Sequence, residues 1–366
     1  MSQDAHNVPK AVIYLDRHSP WSIAARIALD EKGYGDDEVD VKYVDLAKGE
    51  NFSPTFLRLN PKGTVPTLIV PFENTLASDT ESRYKAVTDT ESVVALLDRS
   101  RSAFSRTRTT SGAPAISLSP ATIALSAVAK NITTLLHSGP ASPELLFFMN
   151  ARNSAELEKV TGTVLPFLKG RKEALERYLS QNETSPVRVS EKTSQFWREK
   201  KQSTEGLLAI IEAAGKNEGE LDEAGKKARE EYFENTKAAW EVGLSLVLTK
   251  LSAELIGPYA LGDQFSIVDV HLAAWLLTLV RLCGGNEKES GSVVTGKLEQ
   301  HVGGGYALPR IAVPTMGGTM SETTTPRQEE VGGTTTTTTT TKLSVFWEAM
   351  QERPSWGRVA GAEKSA

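Results

Sequence analysis

The chain has 366 residues, 39% of them apolar and 24% charged, with a formal net charge of −5 and one cysteine. Mild acidity without a dense Lys/Arg run argues against a nucleic-acid surface. A lone cysteine excludes an intramolecular disulfide and leaves no ligand set for a Cys-based metal site, so no metal is expected. The length gives room for two domains, each able to bury its own core. The first ten residues lack an apolar signal region. The most apolar helix, Leu272 to Cys283, is too short to span a bilayer and carries Arg281, so a cytoplasmic protein with no membrane or nucleic-acid partner is expected.

Ala11 to Leu15 is a short apolar run bounded by Asp16 and Arg17 and reads as a buried strand. A helix begins sharply after it. Ser19 is a good N-cap, Pro20 sits at the first helical position, Ile23, Ile27 and Ala28 recur at helical spacing, and Gly33 lies just past the end. Val39 to Val44 alternates as a second strand, which completes a right-handed βαβ unit. Pro54 to Leu59 is a short helix ended by Asn60–Pro61 and Gly63. Thr67 to Val70 is a third strand with Pro66 at its head, where a missing N–H does no harm to a ladder. Pro71 to Arg83 is polar and loop-like, Tyr84 to Val87 returns as a strand, and Asp89 and Thr90 start a helix through Val93, Val94, Leu96 and Leu97. The order is βαβαββα.

Arg99 to Pro120 is rich in Arg, Ser and Thr, lacks periodicity and reads as a linker. Helical patterns follow at Thr122–Leu136, Pro143–Lys159, Val164–Leu179, Lys192–Ala214, Glu223–Leu255 and Ile267–Cys283. Gly284 to Thr341 has two glycine runs and a threonine tract from Thr334, and its composition predicts disorder. A last helix, Leu343 to Gln351, precedes Arg353–Pro354–Ser355–Trp356. The chain therefore divides into a domain over 1–100, a linker over 101–120 and an all-α domain over 121–366, with a disordered insertion at about 284–341.

The strand before Ser19 delivers it to a helix N-terminus, where free backbone N–H groups and the macrodipole favour an anion such as a thiolate. An ordinary thiol has a pKa of about 8.5. One hydrogen bond to a charged group is worth about 1.5–3 kcal/mol, and one pKa unit about 1.4. A single serine can thus make a bound thiol largely ionised. The alternative is that Ser19 caps its own helix and does nothing more.

Four features in this order carry a family resemblance. They are Ser19–Pro20–Trp21 followed by ARIALDEKG, Asn60–Pro61 with Thr64–Val65–Pro66–Thr67–Leu68, DTESVVALLD from Asp89, and the run Gly262 to Asp269. Together they resemble the cytosolic glutathione transferase family in its serine-bearing, fungal-like form. The resemblance covers roughly Val12–Arg99 and Ala253–Cys283, and the middle third matches in helical character only. It implies an α/β thioredoxin-like N-terminal domain followed by an all-α helical domain, the glutathione transferase fold. It also implies transfer of the thiol of reduced glutathione to electrophilic, mostly apolar small molecules, as in detoxification. Glutathione would be a co-substrate with no cofactor besides, and the chain would form a homodimer.

By the same resemblance, Ser19 would be the catalytic donor to the thiolate, with Ser22 as alternate. Val65–Pro66 would be a cis bond that leaves the Val65 backbone to pair with the tripeptide. Thr90 would take the γ-glutamyl carboxylate and Asp89 its ammonium, with Glu91 and Ser92 the alternate register to that pair. Thr64 stands where the family often has lysine, which leaves Lys62 as a further glutathione-binding candidate. Ser266 and Asp269 read as a structural capping box, and His271 as a packed residue. Two other classes compete with the transferase. One is a non-catalytic binding or interaction module on the same fold. The other is a cysteine-dependent thiol transferase, which ranks last because no cysteine stands near Ser19.

Overall fold

The computed structural model of the chain describes residues 10–71, 84–102, 111–112, 115–184, 188–315 and 336–361. Strand β1 (Ala11–Leu15) leads through a turn to helix α1 (Pro20–Lys32), capped by Ser19 and closed by Gly33, whose φ of 67° is the left-handed conformation that glycine adopts without strain. Then come β2 (Val39–Tyr43), α2 (Pro54–Leu59), β3 (Thr67–Pro71), β4 (Tyr84–Val87) and α3 (Thr90–Ser100). The expected βαβαββα order is present. The sheet runs β2-β1-β3-β4, with β1 parallel to β2 and antiparallel to β3, and β3 antiparallel to β4. Strand alternation divides the two faces: Ile13 and Leu15 join α1 and α3 in the main core, while Tyr14 turns to Phe56 of α2. This is a thioredoxin-like domain.

Helices follow: α4 (Ile123–Leu136), α5 (Pro143–Phe148), α6 (Ser154–Thr184), α7 (Glu191–Glu212), α8 (Glu223–Lys237), α9 (Ser245–Glu254) and α10 (Ile267–Leu282). A π-helical stretch, Ala238–Leu244, joins α8 to α9 without a break. Helix α10 is apolar almost all round and lies in the middle of the core, as such a helix must. Ser266 and Asp269 form the expected capping box at its start. Both the Ser266 N–H and hydroxyl donate to Asp269 Oδ2 at 2.7 Å, and the Ala260 N–H donates to Oδ1 at 2.6 Å. Burial pushes the Asp269 carboxyl up to about 6 against those donors.

Two expectations are corrected, the helix bounds around Pro166 and the disorder of 284–341. The helices expected at Pro143–Lys159 and Val164–Leu179 are instead short α5 and one long α6 that runs through Pro166. Asn153 starts α6: its Oδ1 accepts from the Glu156 N–H at 3.0 Å and its Nδ2 donates to Glu156 at 2.9 Å. The stretch 101–120 is anchored at both ends. Arg101 is buried against Glu38 at 3.2 Å, and Asp98 accepts from the Leu118 N–H at 2.9 Å and the Ser119 hydroxyl at 2.6 Å.

The insertion at 284–341 is ordered in part. Helix α11 (Gly291–Val302) buries Val294, Leu298 and Val302 in the main core, and β5 (Arg310–Thr315) pairs antiparallel with β6 (Thr336–Thr341). Among the described residues, the second domain is thus helical with one added antiparallel strand pair. β-branched threonines favour a strand once a partner is at hand, which composition alone does not reveal. Residues 316–335 lie outside the described residues. Helices α12 (Lys342–Gln351) and α13 (Pro354–Ala360) close the chain onto α1 and α11.

Candidate functional site

Sheet register brings three chain segments to one end of the N-terminal domain. The last β1–β3 pair is Tyr14–Thr67, so Val65–Pro66 lies just beyond it, beside the turn that leads from β1 to Ser19. The last β3–β4 pair is Leu68–Val87, so Asp89 and Thr90 lie just beyond that one. The N-termini of α1 and α3 therefore flank the head of β3.

Asp16 builds the first turn. Its Oδ1 accepts from the His18 and Ser19 N–H groups at 2.8 and 2.7 Å, an Asx-type turn, and its Oδ2 accepts from the Leu46 N–H at 3.3 Å. The Asp16 N–H in turn donates to Ser22 Oγ at 3.0 Å. Ser19 Oγ accepts a long bond of 3.4 Å from the Ser22 N–H, which is a weak cap. The Ser19 hydroxyl hydrogen is therefore free of the cap itself.

The Val65–Pro66 bond is cis. Asn60, fully buried, holds the loop before it: its Nδ2 donates to the Thr64 carbonyl at 2.8 Å and to the Thr67 hydroxyl at 2.9 Å. Val65 packs with Val44, Phe56 and Tyr14 under the sheet. At the third segment Asp89 is the N-cap of α3, its Oδ1 accepting from the Ser92 N–H at 2.8 Å, and Thr90 is the first helical residue, buried.

The model of the glutathione S-transferase N-terminal domain family matches residues 18–100. That stretch of the chain is a glutathione S-transferase N-terminal domain. The chain is 43% identical over 70 residues to a glutathione S-transferase zeta class protein from Euphorbia esula, covering 19% of this chain and 29% of the other. It is 42% identical over 66 residues to a maleylacetoacetate isomerase from Aspergillus fumigatus, covering 18% and 27%. The chain thus spans under a third of the length of these curated relatives. A crystal structure of a glutathione transferase homologue from Sulfitobacter with bound glutathione aligns over 96% of this chain and 98% of its own, at 14% identity and a TM-score of 0.42.

Within the glutathione S-transferase domain, Ser19, Val65, Pro66, Asp89 and Thr90 come together at one sheet end. Ser22 is fully buried, with its hydroxyl turned to Asp16, so it is closed off from that end. Glu91 and Ser92 are exposed on the first turn of α3, and Lys62 is exposed on the loop before Val65. Cys283 lies in the helical domain, where burial pushes its thiol up to about 12, so it is un-ionised at neutral pH. Sequence reasoning missed Asp16 and Asn60 as organisers of the two turns. The signal was there in Asp16-x-x-Ser19, the spacing of a carboxylate that accepts from the N–H groups two and three residues on.

Among the described residues, no helix is long and apolar enough to cross a membrane.

Proposed function

We propose that this chain is a glutathione-dependent enzyme that joins the thiol of reduced glutathione to an electrophilic, mostly apolar small molecule. The observation that carries this reading is the convergence of two helix N-termini and the cis Val65–Pro66 loop at one sheet end. The α3 N-terminus suits the γ-glutamyl carboxylate at Thr90, with Asp89 for the ammonium. The Val65 backbone suits the peptide part, and Ser19 at the N-terminus of α1 suits the sulfur. The thiol proton leaves to solvent. The Ser19 hydroxyl donates to the thiolate, and the sulfur forms a bond to the electrophilic carbon as a leaving group departs or a double bond takes up the electron pair.

Relatives named as a glutathione S-transferase and as a maleylacetoacetate isomerase support the coarser reading, glutathione-dependent transfer or isomerisation. The second relative favours a specific alternative: addition of the thiolate to a conjugated double bond, rotation, and its expulsion. In that case glutathione is recovered unchanged. The test is calorimetry with reduced glutathione, followed by turnover against a panel of aryl halides, epoxides and conjugated enones. Glutathione consumed with an electrophile supports conjugation, and isomerised product with glutathione conserved supports the alternative. Binding without turnover supports the non-catalytic module, and absence of binding at millimolar glutathione contradicts all three. Sedimentation of the same sample checks the homodimer that we also propose.

A further inference from the structure

Three aromatic rings run from the first turn of α1 into the helical domain. Trp21, two residues after Ser19, stacks on His137 with ring centroids 4.0 Å apart and planes inclined by 19°. His137 follows directly on the end of α4 and is half-buried. Its Nε2 lies 3.1 Å from Nδ1 of His271 on α10, and the two rings meet edge to face at 5.0 Å. His271 is fully buried, and Trp21 lies 6.4 Å from it as well. Burial pushes His137 down to about 4 and His271 down to about 3, so both are neutral at pH 7 and one ring nitrogen of the pair donates while the other accepts. The charge of Asp89 partly offsets the effect of burial on His137. His137 therefore ties the first turn of α1, which follows Ser19, to α4 and α10 of the helical domain.

We propose that His137 is a positioning residue for the thiolate site, a role that rests on the glutathione-binding reading above. Its ring, tethered by His271, holds Trp21 and with it the first turn of α1, whose cap hydroxyl and free N–H groups face the sulfur. A site of this kind works only while its donors stay within about 0.5 Å of the productive place. A neutral ring pair suits the task, because it stays packed where a charged imidazole would seek water. Among the described residues, the rings that meet Trp21 are His137 and His271 of the helical domain. The helical domain thereby sets how far the bound thiol ionises.

The test compares His137→Ala, which removes the ring, with His137→Phe, which keeps a flat ring on Trp21. Two readouts are taken on the full chain: the pKa of the bound thiol from thiolate absorbance of glutathione, and the affinity for S-methylglutathione, which has no thiol to ionise. His137→Ala is expected to raise the thiol pKa by about 1 unit, a tenfold loss of thiolate well below that pKa. S-methylglutathione binding should stay within about twofold, and His137→Phe should restore the thiol pKa. If His137→Ala fails to fold, His137→Leu, which fills space without a flat ring, takes its place with the same expected shift. An unshifted thiol pKa in the ring-less variant overturns the role of His137 and leaves the glutathione reading standing. So does an equal loss of both ligands without rescue by phenylalanine. If the unmutated chain binds neither ligand, both readings fall together.

Discussion

At the scale of single residues, the His137–His271 pair makes stability depend on pH in a direction that can be worked out. The ordinary imidazole titrates near about 6.5, while burial holds His137 at about 4 and His271 at about 3 in the folded chain. Between those values the unfolded chain binds more protons than the folded one. The contribution of neutral packing is therefore fully present above about pH 6.5 and is lost as the pH falls toward 4. The facing groups are Trp21, and Asp89, whose charge partly offsets the burial of His137. His301, lowered by burial to about 4, adds to the same slope. Melting temperatures taken from about pH 7.5 down to 5 should fall steadily, and His137→Phe should flatten part of the fall. A melting temperature independent of pH over that range would contradict the buried neutral pair.

At the scale of elements, the long pair α6–α7 braces the segment just before α2. The Trp197 indole donates to the Phe52 carbonyl at 2.9 Å and stacks on Tyr178 with centroids 5.6 Å apart, both rings buried with Phe52 and Leu57. Trp197→Ala empties that contact and leaves a buried carbonyl without its donor, so chemical denaturation should register a loss of roughly 3–5 kcal/mol. A loss under about 1 kcal/mol would mean that the brace carries no weight.

Elements with a strong punctuation mark were readable from the sequence: Ser19–Pro20 and Gly33 bound α1, Pro66 heads β3, and Ser266 with Asp269 starts α10. Elements whose local signals oppose their packing were not. Pro166 and Gly162 argue for a break in α6, yet Val164 and Leu168 bury against α7 and α8 residues and hold the helix through. Glycines hide α11, which forms because Val294 and Leu298 reach a core assembled elsewhere in the chain, and the threonine tract hides β6, which pairs with β5. At the site, the residues that contact a ligand in the proposed reading follow from motif spacing. Of the residues that shape it, Asp16 and Asn60 act through bonds to neighbours two to seven positions on, while His137 depends on a contact 134 positions away and had no local signature.

At the scale of the whole molecule, one core runs through both domains. Ile23, Ile27 and Ala28 of α1 share it with α10 and with Trp356 and Val359 of α13. A charged staple closes the same seam. Glu31 accepts two bonds from Arg353, at 2.8 and 2.5 Å, and a further one from the Ser355 hydroxyl, while the guanidinium lies 4.0 Å from the Phe265 ring centre. The Glu31 side chain is 7% exposed and that of Arg353 20%, so removal of one partner leaves a charge with little water to receive it. Arg353→Ala should lower stability by about 3 kcal/mol, and near-ultraviolet signals from both domains should be lost in one transition. Two separated transitions would contradict the shared core.

The role of the α1 N-terminus is tested most directly by titrating the thiol of bound glutathione in the unmutated chain, in Ser19→Ala and in Ser22→Ala. In the unmutated chain the thiol should ionise well below its ordinary value of about 8.5. Ser19→Ala should raise that pKa by roughly 1–2 units, the worth of one hydrogen bond to a charged group. Turnover near pH 7 should fall about ten- to hundredfold, with the loss shrinking as the pH rises. Ser22→Ala should cost stability, because it strands the Asp16 N–H, and leave the thiol pKa where it was. An unshifted thiol pKa in Ser19→Ala, or a shift that appears only in Ser22→Ala, would contradict a thiolate held by Ser19.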